Sequence, residues 1–234
     1  MPDDPIAQSR PGSSPVTVFP VPRKLIAGLV GGSLIILLGM LVSPARSFIE
    51  RIDAAWSSVM VDLEVSVLVD ASQVLATIGT AVVTVPARVA VAAYLVLRRR
   101  WRSFWFWVLA MAGTDLVVGV LKALFGRDRP DAALDSARNS AFPSGHSAIA
   151  IAIGLAVVIL AAPSRERWRL WFCVAVAFGI AMALSRTYLR VHWMSDVVAG
   201  LTIGAAISLG AAWAVQQAAR VREGRSRGDP PTRS

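Results

Sequence analysis

PSGHSAIAIAIGLAVVILAA, residues 143–162, joins two kinds of sequence in one stretch. Pro143, Ser144, Gly145 and His146 form a small, polar opening, and Ser147 to Ala162 then carries no charge. An uncharged run of Ala, Ile, Val and Leu that long has no wet face, so it reads as a membrane span. Similar runs recur on both sides of it. Spans are expected at Leu25–Val42, Thr80–Leu97 (or starting as early as Val74), Phe104–Phe125, Ser147–Ala162, Trp168–Ser185 and Val197–Val215. The expected fold class is therefore all-α, an integral membrane bundle of six helices.

Composition agrees. The 234 residues are 55% hydrophobic, with a mean hydropathy of +0.58, whereas soluble domains are about 45–50% apolar. Six spans of roughly 20 residues would take about half of the chain and leave no room for a separate soluble domain. A polar, Pro- and Ser-rich segment at 1–24 is expected to be disordered. A six-span domain follows at 25–217, then a basic tail at 218–234. Ser43-Pro44-Ala45 has small residues at cleavage-like spacing, but the run before it is long for a signal core, so Leu25–Val42 reads as an uncleaved span.

Between the first two runs, Ser47 and Glu50 have capping-box spacing. Phe48, Ile49, Ile52, Trp56, Val59, Met60 and Leu63 then recur at helical intervals, opposite Glu50, Arg51, Asp53, Ser57, Ser58 and Asp62. Two readings are open: an amphipathic helix lying on the membrane surface, or a helix packed on the other loops.

Charge gives the topology. Residues 1–24, the Arg98–Arg102 turn, the Ser164–Arg169 turn and the tail together hold 15 Lys/Arg against five acids. The opposite ends of the spans hold eight Lys/Arg against nine acids. Positive charge stays in the cytoplasm, so both termini are expected inside. The net charge of +9 therefore reads as a topology signal rather than a nucleic-acid footprint. The single cysteine, Cys173, lies in an apolar run and excludes an intrachain disulfide. Arg88 and Asp115 fall at similar depth inside the second and third spans. A lone charge there is costly, so an interhelical ion pair is expected; the alternative is that Arg88 faces a cavity.

The remaining polar residues form three clusters, all on the side expected to be extracytoplasmic. They are Lys122-x6-Arg129-Pro130, Pro143-Ser144-Gly145-His146, and Ser185-Arg186-x5-His192-x3-Asp196. Both histidines of the chain lie in them. Asp196 stands one helical turn after His192, where it can accept the imidazole Nδ1–H and leave Nε2 with a lone pair. His146 opens a helix whose backbone N–H groups and macrodipole favour an anion; Ser144 or Ser147 could equally be simple caps there. Arg129 and Arg186 offer planar forks for two oxygens. Lys122 is one of only two lysines beside 22 arginines.

Taken together, these clusters resemble the signature of the type-2 phosphatidic acid phosphatase superfamily, with every position matched. The resemblance implies a lipid phosphatase working through a phosphohistidine. His192 would be the nucleophile, oriented by Asp196, and His146 the acid to the leaving oxygen and then the base to water. Lys122, Arg129, Ser144, Gly145 and Arg186 would hold the phosphate. The implied substrate is a lipid phosphate such as undecaprenyl diphosphate, phosphatidic acid or phosphatidylglycerol phosphate. The implied setting is a bacterial inner membrane, with the site on the extracytoplasmic face. No cofactor is expected, because the sequence has no acidic cluster or Cys/His spacing for a metal. Passage of the phosphoryl group to an alcohol instead of water uses the same intermediate and stays open, as does the oligomeric state.

Overall fold

The computed structural model describes residues 21–130, 133–135, 139–161 and 165–226. Most of the N-terminal segment, the end of the basic tail and parts of the loop between Pro130 and Pro143 lie outside them. Among the described residues all regular structure is helical: α1 (Arg23–Leu41), α2 (Ser43–Asp62), α3 (Ser66–Ile78), α4 (Ala81–Leu97), α5 (Trp101–Phe125), α6 (Gly145–Ala161), α7 (Arg165–Tyr188) and α8 (Met194–Ser226).

The centre of the molecule is α6, apolar on every side and packed against α5, α7 and α8. Small residues set the closeness of that packing. A methyl at Gly200 would lie 2.4 Å from the Ser144 carbonyl oxygen, and one at Gly204 would lie 2.2 Å from that of Ala148. Glycine is therefore required where the α8 backbone passes the start of α6. Phe106, Trp107, Ile149, Leu155, Ile159 and Leu209 fill the space between these helices. On the outside, Ile35, Val82, Leu116 and Leu124 are exposed, as residues facing acyl chains would be.

Four helices, α1, α5, α7 and α8, are long and apolar enough to cross a bilayer. A fifth crossing is available from α3 and α4, which pass the same test only as a pair bent by 44°. The expected second span, Thr80–Leu97, corresponds to α4 alone, and α3 is a helix that the sequence reading did not separate from it. At 17 residues, α6 rises about 25 Å, short of the roughly 30 Å hydrocarbon core. The count of six is not met by length alone.

Two further expectations need correction. The capping box at Ser47 and Glu50 does not form, because the helix starts earlier, with Pro44 in its first turn. Ser47 donates instead to the Ser43 carbonyl at 3.0 Å, and Glu50 pairs with Arg46 at 2.8 Å. Next, α2 is packed on α1, α7 and α8. Its Asp53, expected on the polar outer face, is only 1% exposed, whereas Phe48, Ile52 and Val59 are open. Separately, α8 runs to Ser226, so the first part of the basic tail is helical.

The intramembrane pair is present. Arg88 donates to Asp115 at 2.7 Å, joining α4 to α5, and Trp107 Nε1–H donates to the Arg88 carbonyl at 3.0 Å. Tyr188 supplies a second tie: its hydroxyl donates to the Leu63 carbonyl at 2.9 Å and accepts the Val65 N–H at 2.8 Å. The turn between α2 and α3 is thereby fastened to the end of α7.

Candidate active site

The three clusters converge because the helices that carry them end on one side of the bundle. Lys122 sits in the last turn of α5. Gly126 follows with φ of +52°, a left-handed conformation that ends the helix and turns the chain toward Arg127 and Arg129. Arg186 lies in the last turn of α7 and Asp196 in the first turn of α8. Ser144 N–H donates to the Asp196 carbonyl at 3.0 Å, and Ala141 N–H to that of Arg127 at 2.8 Å. Backbone bonds thus join the clusters before any side chain is considered.

A cavity of about 760 Å³ opens between them. Its wall includes Lys122, Arg129, Gly145, His146, Arg186 and His192, with Gln73, Ala76, Thr77 and Thr80 from the α3–α4 side. Asp135 and Asn139 complete it. Two expected residues are behind the wall. Asp196 is fully buried beneath His192. Ser144 is also fully buried, and its hydroxyl accepts from Ser147 Oγ at 3.0 Å. The capping alternative describes Ser144 better than direct contact with an anion in the cavity.

The cations are held differently. Arg129 donates from Nε to the Asn139 carbonyl at 3.0 Å, from Nη2 to Asn139 Oδ1 at 2.8 Å, and from Nη1 to the Val191 carbonyl. Lys122 Nζ donates to the Ser140 carbonyl. Arg186, 3% exposed, reaches Asp135 from Nη2 at 3.4 Å, while its Nε and Nη1 have no partner among the described residues. Buried guanidinium donors are costly to leave unpaired, so Arg186 brings two strong donors to an anion in this cavity.

His192 Nδ1 lies 3.4 Å from Asp196 Oδ2, a close approach that falls short of a formed hydrogen bond, and Nδ1 has no other partner among the described residues. Burial pushes the His192 imidazole from its ordinary 6.5 down to about 4; Asp196 opposes the shift, and Arg129 and Lys122 add to it. The ring is therefore neutral near pH 7, with a lone pair available. Burial also lowers the Arg129 guanidinium from its ordinary value, yet it stays charged throughout the working range.

Asp196 itself is held by groups that the sequence reading did not single out. Its Oδ2 accepts the Trp193 N–H at 2.8 Å, and its Oδ1 accepts from Arg127 Nη1 at 2.5 Å. The other arm of Arg127, Nη2, donates to Asp53 Oδ2 at 2.6 Å. Asp53 in turn accepts Ser195 N–H at 2.8 Å and Ser195 Oγ–H at 2.6 Å. A buried chain Asp53–Arg127–Asp196 thus backs His192. The one local hint was a run of charges, Arg127-Asp128-Arg129, at a helix end; nothing near Asp53 marks it.

Comparison with known proteins gives the same direction. Residues 103–220 match the PAP2 superfamily. The chain is 30% identical over 103 residues to phosphatidylglycerophosphatase B of Bacillus subtilis, covering 42% of this chain and 51% of that protein. It is 32% identical over 118 residues to lipid A 1-phosphatase of Rhizobium johnstonii, covering 46% and 45%. The chain thus spans about half the length of the curated relatives it matches. Among solved structures, the PAP2-type phosphatidylglycerolphosphate phosphatase of Bacillus subtilis superposes with a TM-score of 0.68 at 23% identity, covering 84% of this chain and 96% of that one. LpxE of Aquifex aeolicus gives 0.54 at 20% identity, covering 66% and 91%.

Proposed function

This chain belongs to the PAP2 superfamily, and on that premise we propose that it is an integral membrane lipid phosphatase acting through a phosphohistidine. The observation that carries the reading is the convergence of both histidines with Lys122, Arg129 and Arg186 on one cavity. His192 Nε2 attacks phosphorus in line while Asp196 orients the ring. The three cations and the first-turn N–H groups of α6 stabilise the charge on the equatorial oxygens. His146 protonates the departing oxygen and then takes a proton from the water that hydrolyses the P–N bond. The reaction needs no metal, because fixed cations supply the charge stabilisation.

The substrate class is a lipid phosphomonoester or diphosphate. Phosphatidylglycerol phosphate, phosphatidic acid and undecaprenyl diphosphate are the compounds to try. Six crossings are reached when α3–α4 counts as one broken span and α6 as a short one. An even count puts both termini on one side; we assign that side to the cytoplasm of a bacterial cell and the cavity to the outer face of its inner membrane, a reading supported by the basic turns.

One experiment tests the reading: phosphate release from that lipid panel in right-side-out vesicles with EDTA present, for wild type and His192→Ala. Release by wild type and a loss of about 10³-fold or more in His192→Ala are expected. Equal activity in His192→Ala would overturn the mechanism. Abolition by EDTA would overturn metal independence, and hydrolysis confined to inside-out vesicles would overturn the assigned face.

A further inference from the structure

We propose that the break between α3 and α4 positions His146: the Ala76 carbonyl, freed at the break, fixes the ring, and Gly79 leaves the room for it. The inference rests on reading His146 as the proton donor of the reaction above.

The backbone carries the argument. In an uninterrupted helix the Thr80 N–H would donate to the Ala76 carbonyl. Here Thr80 N–H goes to Thr77 O at 3.1 Å, while Gly79 N–H keeps Leu75 O at 3.0 Å. Ala76 O is passed over by its own helix, and it lies 3.2 Å from His146 Nε2. A carbonyl can only accept, so Nε2 carries the hydrogen. Nδ1 is then the nitrogen that exchanges a proton, and it has no hydrogen-bond partner among the described residues.

Gly79 sits three residues beyond that carbonyl. A Cβ there would lie 2.5 Å from His146 Cδ2 and 3.1 Å from Met182 Cε. The first contact is closer than carbon atoms tolerate, so any side chain at 79 displaces the imidazole or opens the bend. The φ of Gly79 is −78°, which every residue adopts readily. Glycine is needed there for space, not for its backbone freedom.

The proton balance is simple. His146 enters this step with both ring nitrogens protonated: as the bond from His192 Nε2 to phosphorus forms, the bond from phosphorus to the leaving oxygen breaks, and that oxygen takes the Nδ1 proton, leaving a neutral ring whose hydrogen stays on Nε2 against the Ala76 carbonyl. Water then attacks phosphorus, the P–N bond breaks, and Nδ1 takes the proton that the water gives up. Ala76 and Gly79 touch no reacting atom; they are positioning residues that act through His146.

Leaving-group dependence distinguishes this role from a structural one. p-Nitrophenolate departs without a proton, whereas the alkoxide of phosphatidic acid needs one. Gly79→Ala should lower turnover of phosphatidic acid in mixed micelles by about 10- to 100-fold, a partial loss of the roughly 10²- to 10⁴-fold that a general acid contributes. Single-turnover release of p-nitrophenolate from p-nitrophenyl phosphate should fall by less than about threefold, which also reports that the variant is folded. In a His146→Ala background, adding Gly79→Ala should change phosphatidic acid turnover by less than about threefold, because both act through one group. Gly79→Ala combined with Met182→Ala, which removes the second contact, should keep the loss. An equal loss on both substrates, no loss on either, or a full additional loss on top of His146→Ala would each overturn the proposal. Undiminished activity in His192→Ala would instead overturn the underlying reading of the site.

Discussion

The two histidines of the cavity are supported from opposite sides by opposite kinds of chemistry. His192 stands on a buried chain of full charges, Asp196, Arg127 and Asp53, drawn from α8, the loop after α5, and α2. His146 meets a neutral backbone carbonyl at the broken end of α3. A nucleophile needs its tautomer fixed and its lone pair aimed, and a carboxylate does that strongly. A group that must both give and take a proton is better served by a weaker partner. The charged side is rigid and enclosed, and the neutral side lies where helix geometry is already interrupted.

The charged side breaks most severely when its centre is removed. Arg127→Met should leave Asp53 and Asp196 buried without their common counter-ion. A loss of about 3–5 kcal/mol in unfolding free energy in detergent is expected, together with turnover as low as in Asp196→Ala. A variant of unchanged stability would show that the chain of ion pairs does not hold the dyad together.

Titration sharpens the same contrast. His192 is held down to about 4 in the folded protein against an ordinary 6.5. Between these values the unfolded chain binds the extra proton, so stability is fully present above pH 6.5 and falls as pH drops toward 4. The contribution is on the order of 3 kcal/mol. Unfolding profiles of wild type and His192→Asn over that window should converge at low pH, with wild type showing the steeper fall. Parallel profiles would mean that His192 is not desolvated as its surroundings imply.

The smallest effect should come from Arg88 and Asp115, neither of which lines the cavity. Arg88→Met should cost about 1 kcal/mol or somewhat more through the lost bond to Asp115, with kcat unchanged. A fall in kcat at normal expression would make Arg88 part of the site and blur the division between charged and neutral supports.

Much of this organisation was legible in the sequence. The three clusters could be read as one site because charge sorting put the span ends that bear them on the same side, and the cavity wall takes residues from all three. The Arg88–Asp115 pair was legible because an isolated charge in an apolar run demands a partner. Asp53 and Arg127 were not legible. Asp53 lies in a helix whose other charges are exposed, and only the packing of α2 on α8 distinguishes it from them. Arg127 is one of several arginines near a helix end, and its two carboxylate partners are 74 and 69 residues away in the chain. The break at Gly79 was hidden for another reason. α3 and α4 share one apolar character, and a missing Cβ matters only once His146 stands opposite it.

The glycine contacts between α6 and α8 bear on how the proposed site would respond to its surroundings. Where two backbones touch at Gly200 and Gly204, the separation of the helices is fixed by main-chain atoms and cannot be tuned by side-chain rotation. Changes in lipid thickness act first on helices in contact with acyl chains, and α1 and α4 present such surfaces. The starts of α6 and α8, which carry His146 and the support of His192, are joined inside that ring. Tilting of the outer helices would therefore leave the spacing of α6 and α8 unchanged and would reach the cavity only through the α3–α4 bend that touches His146.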